Sequence, residues 1–130
     1  MNGAPSDAFR HRVRVRYAET DAGGVAHHSS YVAWLEEART EWMRARGKAY
    51  RTVEAEGHLL LVTDLNIQYR SPSLYDELLD IAVWEATRQR ASMELCYELR
   101  AADGRLVATA GTRLACVDRA GAVRRLPPGV

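Results

Sequence analysis

Apolar and polar residues alternate with a period of two near both ends of this chain, and with a period near 3.6 in one stretch between them. From Phe9 to Tyr17, Val13, Val15 and Tyr17 point one way and Arg12, Arg14 and Arg16 the other, the pattern of a half-buried strand. From Ser30 to Arg46 the spacing changes. Tyr31, Leu35, Ala38 and Trp42 form one stripe, Trp34 and Met43 widen it, and Glu36, Glu37, Arg39, Glu41 and Arg44 occupy the rest. That is an amphipathic helix. Ser29 or Ser30 is placed to cap its start. Gly47 falls just past its end, where Arg44, Arg46 and Lys48 complement the dipole. Arg51 to Gly57 predicts a short second helix.

The period of two returns at Leu59. In Leu59–Arg70 the residues Leu65, Ile67 and Tyr69 alternate with Asn66, Gln68 and Arg70, and Ser71-Pro72-Ser73 ends the run. Glu77–Arg88 predicts a second long strand. A tight turn at Gln89–Ser92 leads into Met93–Arg100, where Met93, Leu95, Tyr97 and Leu99 alternate with polar neighbours. Asp103-Gly104 signals a hairpin. A further strand runs from Leu106 to Asp118, a turn follows at Arg119–Ala122, and Pro127-Pro128 stops a short Val123–Leu126 segment. One strand, a long helix, then four mostly hairpin-connected strands predict an α+β fold: an antiparallel sheet with one face covered by a single central helix. No repeat or linker divides the chain, so residues 1–130 are expected to form one domain.

Composition narrows the function. The chain is 47% hydrophobic and 27% charged, and a net charge of +1 argues against a dedicated nucleic-acid binder. All basic residues but Lys48 are arginines, whose forks suit carboxylates and phosphates, although a GC-rich genome gives the same bias. Cys96 and Cys116 make neither a disulfide framework nor a Cys-x-x-Cys site, so free thiols in a reducing compartment are expected. Met1–Asp7 lacks an apolar signal core, and no run approaches the roughly 18 apolar residues of a membrane span. The expected location is the cytoplasm.

The chemistry concentrates between the first strand and the long helix. Glu19–Ser29 reads as a loop carrying Gly23-Gly24 and one acid, Asp21, seven residues before His28. Most loop aspartates only bond their own backbone. A carboxylate beside a helix start can also attack a carbonyl carbon or take a proton from water. His27 and His28 either cover the helix start or contribute to chemistry. Four histidines (His11, His27, His28 and His58) and no HExxH arrangement argue against a metal site. Adjacent histidines on a turn usually point apart, so one at most faces a substrate, and the His28 N–H can serve in an oxyanion hole. Tyr17 reads as a core aromatic whose hydroxyl can also reach the acid. Glu36 and Glu37 read as a solvated helix face.

The segment Arg16–Arg39, RYAETDAGGVAHHSSYVAWLEEAR, resembles the signature of the hotdog-fold acyl-CoA thioesterases of the 4-hydroxybenzoyl-CoA thioesterase type. The nearest group is that of the Tol-Pal-associated acyl-CoA thioesterases. The strand ending Tyr69-Arg-Ser-Pro72, the hairpins and the total length extend the likeness across nearly the whole chain. The resemblance implies a five-stranded antiparallel sheet wrapped around the helix, in dimers often paired into tetramers, with active sites at the subunit interface. It implies Asp21 as catalytic carboxylate, His28 as the residue whose amide polarises the thioester carbonyl, and Tyr17 as an assisting tyrosine. Gly24 matches the loop glycine, and with Ser29 it belongs to the substrate-binding loop. Ala22 stands where some relatives carry proline. Another branch uses a helix glutamate, and Glu36 and Glu37 occupy that region. Arg88 and Arg90, flanking a turn, or Arg70, are the candidates for CoA phosphates. The expected function is hydrolysis of an acyl-CoA to acid and CoA, with Asp21 as nucleophile or general base and with no metal or redox cofactor. The competing readings are a non-catalytic module binding acyl-CoA, acyl carrier protein or a protein partner, and a hotdog dehydratase or hydratase. Trp34, Leu35, Leu61 and Thr63, the candidates for the acyl pocket, do not decide between short aliphatic and aromatic groups.

Overall fold

A computed structural model describes residues 3–130; Met1 and Asn2 of the polar N-terminal stretch lie outside the described residues. Strand β1 covers Phe9–Arg14, and helix α1 Ser30–Ala45. A short α2 covers Tyr50–Ala55, β2 His58–Tyr69, β3 Leu78–Arg88, β4 Ser92–Ala101 and β5 Leu106–Asp118. All pairings are antiparallel, in the order β1-β3-β4-β5-β2. Only β3-β4-β5 is a run of hairpins. β2 pairs with β5 instead of its neighbour in sequence, so the strands on either side of α1 in the chain lie at opposite edges of the sheet.

The alternation maps onto one inner face. Cross-strand rows such as Val83, Tyr97, Ala110 and Ile67 line up there, and the first three are fully buried. The predicted stripe of α1 is buried throughout: Tyr31, Trp34, Leu35, Ala38, Trp42 and Met43. The helix lies closer to β1 and β3 than to β2, which leaves a gap beside β2. A bulge between Val62 and Asp64 breaks the alternation of β2. Val62 rather than Thr63 therefore stands opposite inward-facing Leu114, which removes Thr63 from the candidate acyl-pocket residues. Among the described residues no helix is long and apolar enough to cross a membrane.

Two local expectations change. β1 stops at Arg14, because the Glu19 carboxylate accepts the Arg16 N–H at 2.8 Å and closes a 3-10 turn over Tyr17–Glu19. Val15 stays buried, but Tyr17 is 77% exposed and is not a core aromatic. Neither serine caps α1: Ser29 Oγ bonds His27 Nδ1 at 2.8 Å, and Ser30 Oγ donates to the Glu19 carbonyl at 3.0 Å.

The C-terminal end of α1 closes as expected. Gly47 has φ +90°, its N–H donates to the Arg44 carbonyl, and the Lys48 N–H donates to the Met43 carbonyl. This is a Schellman closure, which places its left-handed residue at Gly47. A Cβ there would meet no atom within 4 Å, so only backbone strain opposes one. Gly47→Ala is expected to cost about 1–2 kcal/mol, read as a lower thermal unfolding midpoint with the sheet intact.

Candidate active site

The loop before α1 is held from two sides. Val15 and the Asp76–Glu77 backbone exchange hydrogen bonds of 2.9 and 2.8 Å, the Ala26 N–H donates to the Ser73 carbonyl at 2.8 Å, and Val25 bridges Leu74. Within this clamp Asp21 builds a tight turn. Its N–H donates to the Val25 carbonyl at 2.8 Å, and its Oδ1 accepts the Gly23 N–H at 2.8 Å and the Val25 N–H at 3.4 Å. Gly24 supplies the positive φ, +82°, that the turn requires. The ordinary use of a loop aspartate is thus present, but it occupies one oxygen. Among the described residues Oδ2 meets no donor, and Asp21 is exposed. The carboxylate is oriented by its own loop and keeps a free oxygen.

His27 and His28 do not point apart. Their rings stack with centroids 4.2 Å apart and planes at 29°, because both lie on the same side of the turn into the helix. His27 is structural: its N–H donates to the Glu19 carbonyl at 2.7 Å, and its Nδ1 accepts the Ser29 N–H at 3.2 Å. The amides of Ala26, His27, Ser29 and Ser30 all have acceptors. Among the described residues the His28 N–H has none. It lies just before the uncapped start of α1, where partial positive charge accumulates. The His27 carbonyl, in the same peptide as that N–H, accepts the Ser30 N–H at 2.9 Å, and the His28 carbonyl, in the next peptide, accepts the Tyr69 hydroxyl at 2.9 Å.

His28 and Arg70 share a cleft of about 330 Å³ with Ala26, Tyr31, Tyr69 and Pro72. Behind it Tyr31 packs edge-on to Tyr69 and Trp34, and its hydroxyl bonds buried Ser73 at 2.7 Å. Asp21, Gly24, Ser29 and Tyr17 lie along the same loop but do not line this cleft. Exposed Tyr17 packs edge-on against Tyr75, 5.5 Å between centroids. Arg88 and Arg90 are elsewhere. The site lies at the start of β3, and Arg88 ends that strand ten residues on, roughly 33 Å away at strand rise; it is paired with Glu85. Within one protomer these two arginines do not reach the loop. Glu36 and Glu37 are exposed, as expected, though Glu37 also meets His11 Nε2 at 2.5 Å. Among the described residues no three His, Cys, Asp or Glu side chains gather as a metal site.

Glu19 is a site residue that the sequence pattern passed over. Its carboxylate accepts the Arg16 N–H at 2.8 Å, the Trp34 indole N–H at 2.9 Å and the Arg16 guanidinium at 3.3 Å, and its carbonyl receives His27 and Ser30. It joins the end of β1 to the start of α1. The signal was present as the three-residue spacing from Arg16, a capping-box interval. Burial pushes the Glu19 carboxyl up, but the Arg16 amide, the Trp34 indole and the Arg16 guanidinium outweigh it and hold it below its ordinary value of 4.5. A carboxyl lowered on folding stabilises the protein above its unfolded-state pKa, and that contribution is lost as pH falls through the folded one. Denaturant titrations are therefore expected to show stability declining below about pH 4.5, with Glu19→Gln flattening part of the decline.

Comparison with known proteins identifies a family and several relatives. Residues 15–130 match the model of the thioesterase-like superfamily. The acyl-CoA thioester hydrolase YbgC of Escherichia coli O157:H7 is 34% identical over 110 residues, 85% of this chain and 82% of the relative. The putative acyl-CoA thioesterase YneP of Bacillus subtilis is 33% identical, covering 82% and 78%. Among solved structures, a DHNA-CoA thioesterase from Staphylococcus aureus superposes with a TM-score of 0.87 at 32% identity, over 90% of this chain and 79% of that one. A hypothetical protein from Aquifex aeolicus gives 0.87 at 30% identity, over 92% and 93%.

Proposed function

The chain belongs to the thioesterase-like superfamily, with the hotdog fold of a thioester hydrolase, and from that premise we propose an acyl-CoA thioesterase in which the Asp21 carboxylate and the His28 amide act on one carbonyl. The observation that carries this reading is the unpaired His28 N–H at an uncapped helix start, on the same clamped loop as a carboxylate with one free oxygen. The thioester oxygen accepts the His28 N–H, and the helix end stabilises the negative charge that grows on it. Asp21 then acts by one of two balanced routes. As nucleophile, its oxygen bonds to the acyl carbon, the C–S bond breaks, CoA leaves as thiolate, and water hydrolyses the mixed anhydride. As general base, it takes a proton from water as that water attacks, and the tetrahedral intermediate expels the same thiolate. Neither route uses a metal or redox cofactor.

Gly24 lets the backbone approach the thioester, Ser29 lies beside the oxyanion position, and exposed Tyr17 flanks the loop. Of the three candidate arginines, Arg70 alone borders the cleft with His28, which supports a role for it in binding the CoA moiety. A role for Arg88 or Arg90 requires a second protomer. β2 is an edge strand, and its unpaired backbone edge with exposed Leu61 suits a second copy in a homodimer that pairs further into a homotetramer. Its two free thiols, Cys96 and Cys116, suit a cytoplasmic enzyme. The test is release of CoA thiol from a panel of aliphatic and aromatic acyl-CoAs. The expected result is saturable release above the uncatalysed rate. Saturable binding without release from any member would leave only the binding module.

A further inference from the structure

The gap between α1 and β2 holds two pockets, farther along the helix than the His28 cleft. The first, of about 110 Å³, has apolar walls from Val32, Leu35, Val62 and Leu65. Arg39 and Thr112 border it too, and Arg39, Glu36 and Val62 also border the second, of about 300 Å³. Arg39 is half-buried, and among the described residues it makes no ion pair. Its guanidinium lies beside the hydroxyl of Tyr97, which is fully buried and bonded to Thr112 Oγ1 at 2.8 Å. A guanidinium has five N–H donors and no acceptor, and one phenol oxygen cannot satisfy them. A half-buried cation beside apolar walls, with donors to spare, is suited to an anion. Glu36 borders the same groove, but it is exposed and its charge is screened by water.

Resting on the acyl-CoA reading above, we propose that the preferred acyl group ends in a carboxylate, held by Arg39 in this groove. Arg39 lies eleven residues beyond His28, about 16 Å along the helix, and its side chain leans back toward the N-terminus. A thioester carbonyl at His28 therefore suits an acyl chain of medium length.

The test compares kcat/KM for octanoyl-CoA, its ω-hydroxy analogue and its ω-carboxy analogue, suberoyl-CoA. Suberoyl-CoA is expected to exceed octanoyl-CoA by about tenfold or more, the worth of one charge-assisted hydrogen bond, with the hydroxy analogue between them. Arg39→Met is expected to bring the suberoyl-to-octanoyl ratio near or below one, and Arg39→Lys to keep part of it. Arg44→Met, on an exposed arginine paired with Glu41, is expected to keep all of it. The ratio within each variant does not depend on how much protein is folded. Octanoyl-CoA equal to or better than suberoyl-CoA overturns the proposal, as does a preference for the hydroxy analogue or a ratio unmoved by Arg39→Met. Release of CoA from none of these or any other acyl-CoA overturns the hydrolase reading as well.

Discussion

Asp21→Asn is expected to lower kcat for CoA release by at least about a hundredfold and to change KM by no more than a few-fold. The magnitude follows from removing a nucleophile or general base, a role worth about 10²–10⁴ in rate. Asparagine is the informative replacement because its Oδ1 still accepts the Gly23 and Val25 amides, so the turn keeps its shape. The free Oδ2 becomes a neutral amide that neither attacks a carbonyl nor deprotonates water. A loss confined to kcat marks an interaction made in the transition state; a loss confined to KM would mark uniform binding. Asp21→Ala is less clean, since it removes the turn and the base together. Steady-state kinetics beside a thermal melt separate the two.

The second large effect comes from His28. His28→Pro deletes the unpaired N–H and is expected to reduce kcat by at least about a hundredfold, the usual cost of one oxyanion donor. His28→Ala keeps the amide and removes only the ring, which makes no hydrogen bond among the described residues but stacks on His27. It is expected to retain most of the activity. The carbonyl of the same peptide, that of His27, accepts the Ser30 N–H at 2.9 Å, so the backbone donor is supported from behind. Equal losses in the two variants would transfer the role from the amide to the imidazole.

Much of this arrangement is legible along the chain because each inner position has a strong periodic neighbour. The α1 stripe of Tyr31, Leu35, Ala38 and Trp42, and the β4 row of Met93, Leu95, Tyr97 and Leu99, are buried as the periods indicate. What escapes is set by individual side-chain bonds and by strand register, which the periods do not carry. Tyr17 continues the alternation of Val13 and Val15, yet the Glu19 carboxylate takes the Arg16 amide and turns the chain first. Thr63 loses its place to Val62 through a bulge that no local residue announces. Arg88 and Arg90 flank a turn as expected, but only the antiparallel register shows that this turn lies at the far end of the sheet. In the site, Asp21, Gly24 and His28 are legible as a loop next to a helix start. The unpaired state of the His28 amide is not, because it depends on where Glu19, Ser73 and Ser29 direct their own hydrogen bonds.

In the proposed mechanism Asp21 performs the chemical step on the thioester. Single-turnover hydrolysis, with enzyme in excess over an acyl-CoA that the wild type consumes, isolates that step from CoA release. Asp21→Asn is expected to slow this single turnover by at least about a hundredfold. An Asn variant that completes the turnover at the wild-type rate would contradict it.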